Sequence, residues 1–228
     1  VEPTVEVHGI VSCISCILDT TDDPDIEFDT LGVCNFCSSY EDSKKRINKE
    51  IEMHGGLEGM LDKIKTKGRN RRYDCVLGIS GGVDSSYLVV LAKKFNLRTL
   101  VVHLDNGWDS ELSVSNVHKL LQKTGFDLYS YVLDWEGFRG LQCSFLKASV
   151  VDIEIVTDHA IFASLYKVAN KYNIKYILTG ENISSENVMP SWWVHNKNDL
   201  MNIRDIHRKF SGKLPKDYPR LGYLREYY

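Results

Sequence analysis

No apolar run in this 228-residue sequence approaches the ~20 residues that a membrane-crossing helix needs. The N-terminus, Val1-Glu2-Pro3-Thr4, has neither a basic segment nor an apolar one behind it, which argues against a secretory leader and for a cytoplasmic protein. It also lacks an initiator Met, and the chain stops abruptly at Tyr227-Tyr228, so a processed or incomplete chain is expected. An excess of either charge is missing too. Lys and Arg number 28 against 31 Asp and Glu, a net charge of -3, so nothing global suggests wrapping nucleic acid or lying on an anionic membrane. There is no internal repeat and no low-complexity tract. What remains is an ordinary globular composition, 43% hydrophobic and 26% charged, long enough for one large α/β domain or one domain with a small satellite.

The six cysteines are unevenly placed. Cys75 reads as core and Cys143 as a partly buried helix residue. The other four form two Cys-x2-Cys knuckles, Cys13/Cys16 and Cys34/Cys37, separated by an acidic, turn-rich stretch. In a short secreted protein they would suggest disulfides. Ahead of a cytosolic-looking enzyme body they predict a four-cysteine zinc ribbon, each knuckle giving two thiolates from one tight turn. Four sulfurs leave no open position, so the Zn2+ is expected to be structural. An iron–sulfur cluster is the alternative occupant.

Residues 1–40 are therefore assigned to the ribbon, and 41–72 to a charged helical linker with a break at Gly55-Gly56. From Tyr73 onward apolar runs alternate with helical patterns. Strands are expected at 75–79, 99–104, 127–133 and 176–179, with helices after the glycines at 81–82, near 110–124 and near 159–172. Such alternation predicts a doubly wound parallel α/β sheet over residues 73–228, with ligands beyond the carboxyl ends of its strands. Past Glu181 the periodicity fades into loops and short helices.

Ser80-Gly81-Gly82-Val83-Asp84-Ser85 falls where the first of these strands meets its helix. Glycines let backbone approach an anion closely, N–H groups at the helix start face phosphate oxygens, and Ser80, Ser85 and Ser86 add hydroxyl donors. Asp84 would repel phosphate alone, so its expected role is to hold Mg2+. No Gly-Lys-Ser/Thr follows, which excludes a Walker A loop, and the Gly-x-Gly-x-x-Gly dinucleotide turn is absent as well. The run resembles the PP-loop of ATP pyrophosphatases, which cleave ATP between the α and β phosphates. Other strand ends should complete the pocket. His103, Leu104 and Asp105 close the second strand, where backbone near Leu104 would read adenine, while His103 and Asp105 read either as binding groups or as polar caps. Gly180, Glu181 and Asn182 close the fourth, where Gly180 would allow the nucleotide close approach. Asp158, ahead of His159, reads as a helix cap or a substrate contact. The basic run from Lys63 to Arg72 reads chiefly as a solvated helix end. Trp192, Trp193 and His195 read as a sugar floor or as packing groups.

Together, the cysteine ribbon with its Leu18–Pro24 interior, the Ser80–Ser85 loop, Asp105-Asn106-Gly107-Trp108, Thr157-Asp158 and Gly180-Glu181-Asn182-Ile183-Ser184 resemble the N-acetyl sugar amidotransferase family of bacterial surface-polysaccharide and sialic-acid-like sugar pathways. Members commonly carry Lys where this chain has Val83 and Arg where it has His159, and they extend beyond its end. The resemblance implies that ATP adenylates a sugar acetamido group. Ammonia from a separate glutaminase subunit then displaces AMP to give an acetamidine. Substrate contacts would come from Asp158, Glu181 and Asn182, and no nucleic acid is implied. The rival reading is a tRNA-modifying PP-loop enzyme, a thiolase or lysidine-forming ligase. A non-catalytic nucleotide sensor is a third.

Overall fold

The computed structural model describes residues 5–7, 9–181, 189–190, 193 and 195–222. The chain divides into two compact units, Val1–Met60 with Asn182–Val194, and Leu61–Glu181 with His195–Tyr228.

In the first unit, strands β1 (Val5–Val7) and β2 (Ile10–Ser12) pair antiparallel. Helix α1 spans Asn35–Met53 and begins inside the second cysteine knuckle, earlier than the linker helix expected from residue 41. Cys34 explains the difference, because its Sγ accepts a hydrogen bond from the Cys37 N–H and so acts as the N-cap. Helix α2 (Gly56–Gly68) follows the Gly55-Gly56 break.

The second unit carries a four-stranded parallel sheet in the order β5–β4–β3–β6, with β3 at Cys75–Gly78, β4 at Thr99–Asp105, β5 at Asp127–Val132 and β6 at Ile177–Leu178. Side-chain alternation along β3 and β4 feeds two cores. Cys75, Leu77 and Val101 point to one face, where Val89 and Ala92 of α3 (Val83–Lys94) and Val117 of α4 (Glu111–Thr124) cover them. Val76, Leu100 and Val102 point to the other, under Leu165, Val168 and Ala169 of α6 (Ile155–Lys171). Helices on both faces make the sheet doubly wound, as the continuous apolar strands predicted.

Two further helices and one cysteine differ from the sequence expectation. Helix α5 (Trp135–Ala148) was not anticipated, because Gly137 and Gly140 lower its helix propensity. Asp134 caps it through the Gly137 N–H at 2.8 Å, and Phe138, Leu141 and Phe145 bury its inner face at helical spacing. Helix α6 starts at Ile155 rather than near His159, so Asp158 lies within its first turn and does not cap it. Cys143, on α5, is exposed rather than partly buried, whereas Cys75 is fully buried as expected. Helix α7 (Leu200–Phe210) packs Ile203 into the cluster of Phe138, Leu141 and Ile155. No helix among the described residues is long and apolar enough to cross a membrane.

Candidate active site and metal centre

β3 pairs with β4 on one side and β6 on the other, so the sheet changes winding direction at β3. The crevice for a ligand in such sheets lies beyond the carboxyl ends at that switch point. Ser80 to Ser86 leave β3 there. Gly82 takes the N-cap position of α3 and offers no side-chain cap, which leaves the first N–H groups of the helix for an incoming anion. Ser80, Gly82, Val83 and Asp84 are exposed. The Ser80 and Ser85 hydroxyls lie 3.2 Å apart, and Ser80 Oγ accepts from the Gly82 N–H at 3.4 Å, so the two serines brace the turn from within. Asp84 sits in the first turn of α3, where a carboxylate faces the positive end of the helix. An exposed carboxylate is the oxygen-donor type that Mg2+ takes.

Gly81 has φ +81, and a Cβ there would meet the Ser113 carbonyl oxygen at 2.6 Å. Only glycine satisfies both demands. The N-terminal turn of α4 thus presses against the phosphate loop, and Asn116 Nδ2 donates to the Gly81 carbonyl at 3.4 Å. Sequence reasoning missed Ser113 and Asn116. The signal was Ser110, three residues ahead of Ser113, whose Oγ caps α4 through the Ser113 N–H.

His103 joins the ends of β3 and β4. Its Nδ1 bonds the Ile79 carbonyl and its Nε2 the Asp109 carboxylate, both at 2.9 Å. Asp105 and Asn106 accept from the Gly107 and Trp108 N–H groups and shape the loop after β4. Leu104 packs towards the cluster under α5.

At the end of β6, Gly180 approaches the backbone of α3 rather than open space, since a Cβ there would lie 3.0 Å from Ser85 N. Glu181 is exposed and accepts from Thr179 Oγ1 at 3.4 Å; Asn182 lies outside the described residues. The rim therefore joins Ser80–Ser86, His103–Asp105 and Gly180, together with the unforeseen Asp109, Ser113 and Asn116. Asp158 is ion-paired to Lys197, which also binds Asp152 at 2.9 Å. Lys197 is thereby held charged against the opposing pull of its own burial. Trp192 is outside the described residues, and Trp193 and His195 belong to different units. The indoles at the carboxyl edge are Trp108 and Trp135, which meet edge to face with centroids 5.4 Å apart.

In the first unit the sulfurs of Cys13, Cys16, Cys34 and Cys37 all lie within 4.8 Å of one another, with Cys16 and Cys34 at 3.7 Å. A tetrahedron with Zn–S bonds of about 2.3 Å has edges of about 3.8 Å, so the quartet fits Zn2+. Burial alone would raise the Cys13 thiol, but backbone N–H groups of Cys34, Ser15 and Cys16 outweigh it and bring it down to about 7. Burial and the neighbouring thiols push Cys37 up, and burial chiefly raises Cys16. Four thiolates this close need a cation among them.

Strand, Ser-Gly-Gly-Val-Asp-Ser turn and helix make this a PP-loop α/β fold. No protein-family profile matches the chain. Over 113 residues it is 27% identical to a tRNA(Ile)-lysidine synthase of Thermus thermophilus, covering 49% of this chain and 21% of that protein. Over 187 residues it is 24% identical to an uncharacterized protein of Methanocaldococcus jannaschii, covering 76% of this chain and 60% of that one. The chain thus spans about a fifth and three fifths of their lengths. Among solved structures, the chain is similar to an NH3-dependent NAD synthetase of Campylobacter jejuni, with a TM-score of 0.43, 18% identity, and 67% of this chain against 73% of that one. The NMN synthetase of Francisella tularensis gives 0.42 and 15%, over 71% and 87% of the two chains.

Proposed function

We propose that this protein uses ATP to adenylate the acetamido group of a sugar and exchanges the amide oxygen for nitrogen. The observation that carries the adenylation is the side-chain-free N-terminus of α3 at the switch point of the sheet, with Gly81 held at positive φ beside it. The amide carbonyl oxygen attacks the α-phosphorus, an O–P bond forms, and pyrophosphate leaves with the electrons of the α–β bridge. The N–H groups of α3 and the Ser80 and Ser85 hydroxyls stabilise the charge that builds on pyrophosphate, and Asp84 would hold Mg2+, which when bound would supply further positive charge. Ammonia then attacks the imidate carbon, AMP departs with the C–O pair, and one proton is lost to give the acetamidine. An amide oxygen is a poor leaving group until it carries AMP. Ammonia must arrive neutral, so a glutaminase partner is the expected donor. The resemblance of the combined ribbon and loop motifs supports the sugar and the ammonia.

A tRNA-lysidine-type ligation is the second reading, favoured by the partial likeness to the Thermus thermophilus protein. The near-neutral net charge weighs against a tRNA partner. The deciding experiment supplies ATP with N-acetylated sugars plus ammonium, and separately with tRNA plus lysine, and measures AMP, ADP and pyrophosphate. AMP and pyrophosphate released only with sugar and ammonium, with a product about one mass unit lighter, support the first reading. Release only with tRNA selects the second. Formation of ADP overturns both.

A further inference from the structure

Beyond the ends of β4 and β5 the second unit holds a cavity of about 560 Å3, lined by Asn106, Trp108, Trp135, Gln142, Cys143 and Thr157 among others. It opens on the same carboxyl edge as the phosphate loop, because the strands are parallel and Asn106 and Trp135 follow the two strand ends. We propose that this cavity is the acceptor site and takes an uncharged pyranose ring through its acetamido-bearing face. The assignment rests on the adenylation of an acetamido sugar proposed above.

The chemistry of the walls carries the choice. Trp108 and Trp135 stand at 74° to one another and form a corner. One indole face offers a platform for the C–H face of a pyranose, and the second wall offers an apolar seat for the acetamido methyl. A flat aromatic ligand would use one wall only. The Trp108 Nε1–H donates to Gln142 Oε1 at 2.8 Å, which fixes the indole and leaves the Gln142 amide nitrogen as a donor. The Asn106 Oδ1 accepts from the Trp108 N–H at 3.1 Å, which frees its amide nitrogen in the same way. Thr157 Oγ1 is buried with no hydrogen-bond partner among the described residues, an orphaned group that a sugar hydroxyl or amide would satisfy. Of the charged groups at the wall, Arg139 is already paired to Glu136 at 2.6 Å, and Glu154 leaves a negative charge that disfavours an anionic ring. The volume falls in the range of small-molecule sites.

Cys143 is exposed on this wall and reports occupancy without turnover. In the zinc-loaded protein, iodoacetamide labelling of Cys143, located by peptide mass spectrometry, is followed with N-acetylglucosamine, N-acetylgalactosamine, glucosamine or nicotinamide present. The expected result is slower labelling with an N-acetylated sugar and no protection by glucosamine or nicotinamide. Trp108→Ala should weaken that protection about tenfold, and Thr157→Val should do so with the indoles intact. If neither N-acetylated sugar protects, if nicotinamide protects equally, or if both variants are protected like the parent, the assignment is overturned. Protection without AMP release would sink the proposed reaction but not the pocket. Sugar-dependent AMP release unaffected by either variant would sink the pocket but not the reaction.

Discussion

Gly81 carries two constraints at once, a left-handed backbone and contact with the Ser113 carbonyl. Gly81→Ala should destabilise the second unit by about 2 kcal/mol and lower nucleotide affinity in the same variant, checked by urea unfolding and by nucleotide titration. Asp84→Ala acts differently. Its side chain is exposed, so the variant should fold normally and lose pyrophosphate release, and unchanged turnover would remove it from the mechanism. His159 is fully buried, its Nδ1 facing the Lys197 carbonyl at 3.0 Å and its Nε2 accepting from the Leu221 N–H at 3.2 Å. Those partners suit the neutral ring, and burial lowers its proton affinity further. The unfolded chain therefore binds the extra proton once pH drops below the ordinary histidine value of 6.5. Stability should be full above that pH and fall below it, with a slope approaching 1.4 kcal/mol per pH unit from this residue. Urea midpoints from pH 7.5 to 5.5 test this, and His159→Asn should flatten the curve.

Among the elements, the joint between α2 and the sheet depends on one ion pair. Asp74 is buried and Arg98 half-exposed, and Arg98 also donates to the carbonyls of Arg71 and Gly68 at 2.7 and 2.8 Å. Arg98→Met would leave a buried carboxylate without its cation, and the Arg71 carbonyl and Asp74 Oδ1 without the donors they now have. A loss of about 3 kcal/mol is expected, read by chemical denaturation. Elements were legible in the sequence where one signal dominated. The runs at 75–79 and 99–104 could only be strands buried on both faces, and Ser110 with Thr124-Gly125 marked both ends of α4. Helix α5 was hidden because its glycines mask three buried residues at correct spacing, and the start of α6 was misplaced because Asp158 looks like a cap while its carboxylate is spent on Lys197. The strand–turn–helix around Ser80–Ser85 was readable from six consecutive residues. The clamp of His103 on Ile79 and Asp109 was not, since its bonds span 24 and 6 residues and leave no local pattern.

On the scale of the whole chain, the two units rest on different physics. The second has three clusters of buried side chains, whereas the core of the first is built from the cysteines themselves, with Ile26, Phe28, Val33 and Phe36 packed around them. So small an apolar cluster needs a staple. Cys34→Ser should abolish zinc binding and expose the amides of residues 9–53 to hydrogen exchange while those of β3 and β4 stay protected. Metal analysis with exchange mass spectrometry checks both, and full metal occupancy in the variant would refute the four-thiolate assignment.

Along the carboxyl edge of the sheet, the contact of Gly180 with the start of α3 leaves no slack between β3 and β6, while the ends of β4 and β5 open onto a roomy hollow. Divergence in what the molecule selects can therefore accumulate at the hollow by swapping side chains, with the tight end kept unaltered. Relatives with one shared grip on nucleotide and many different clients are the expected evolutionary outcome.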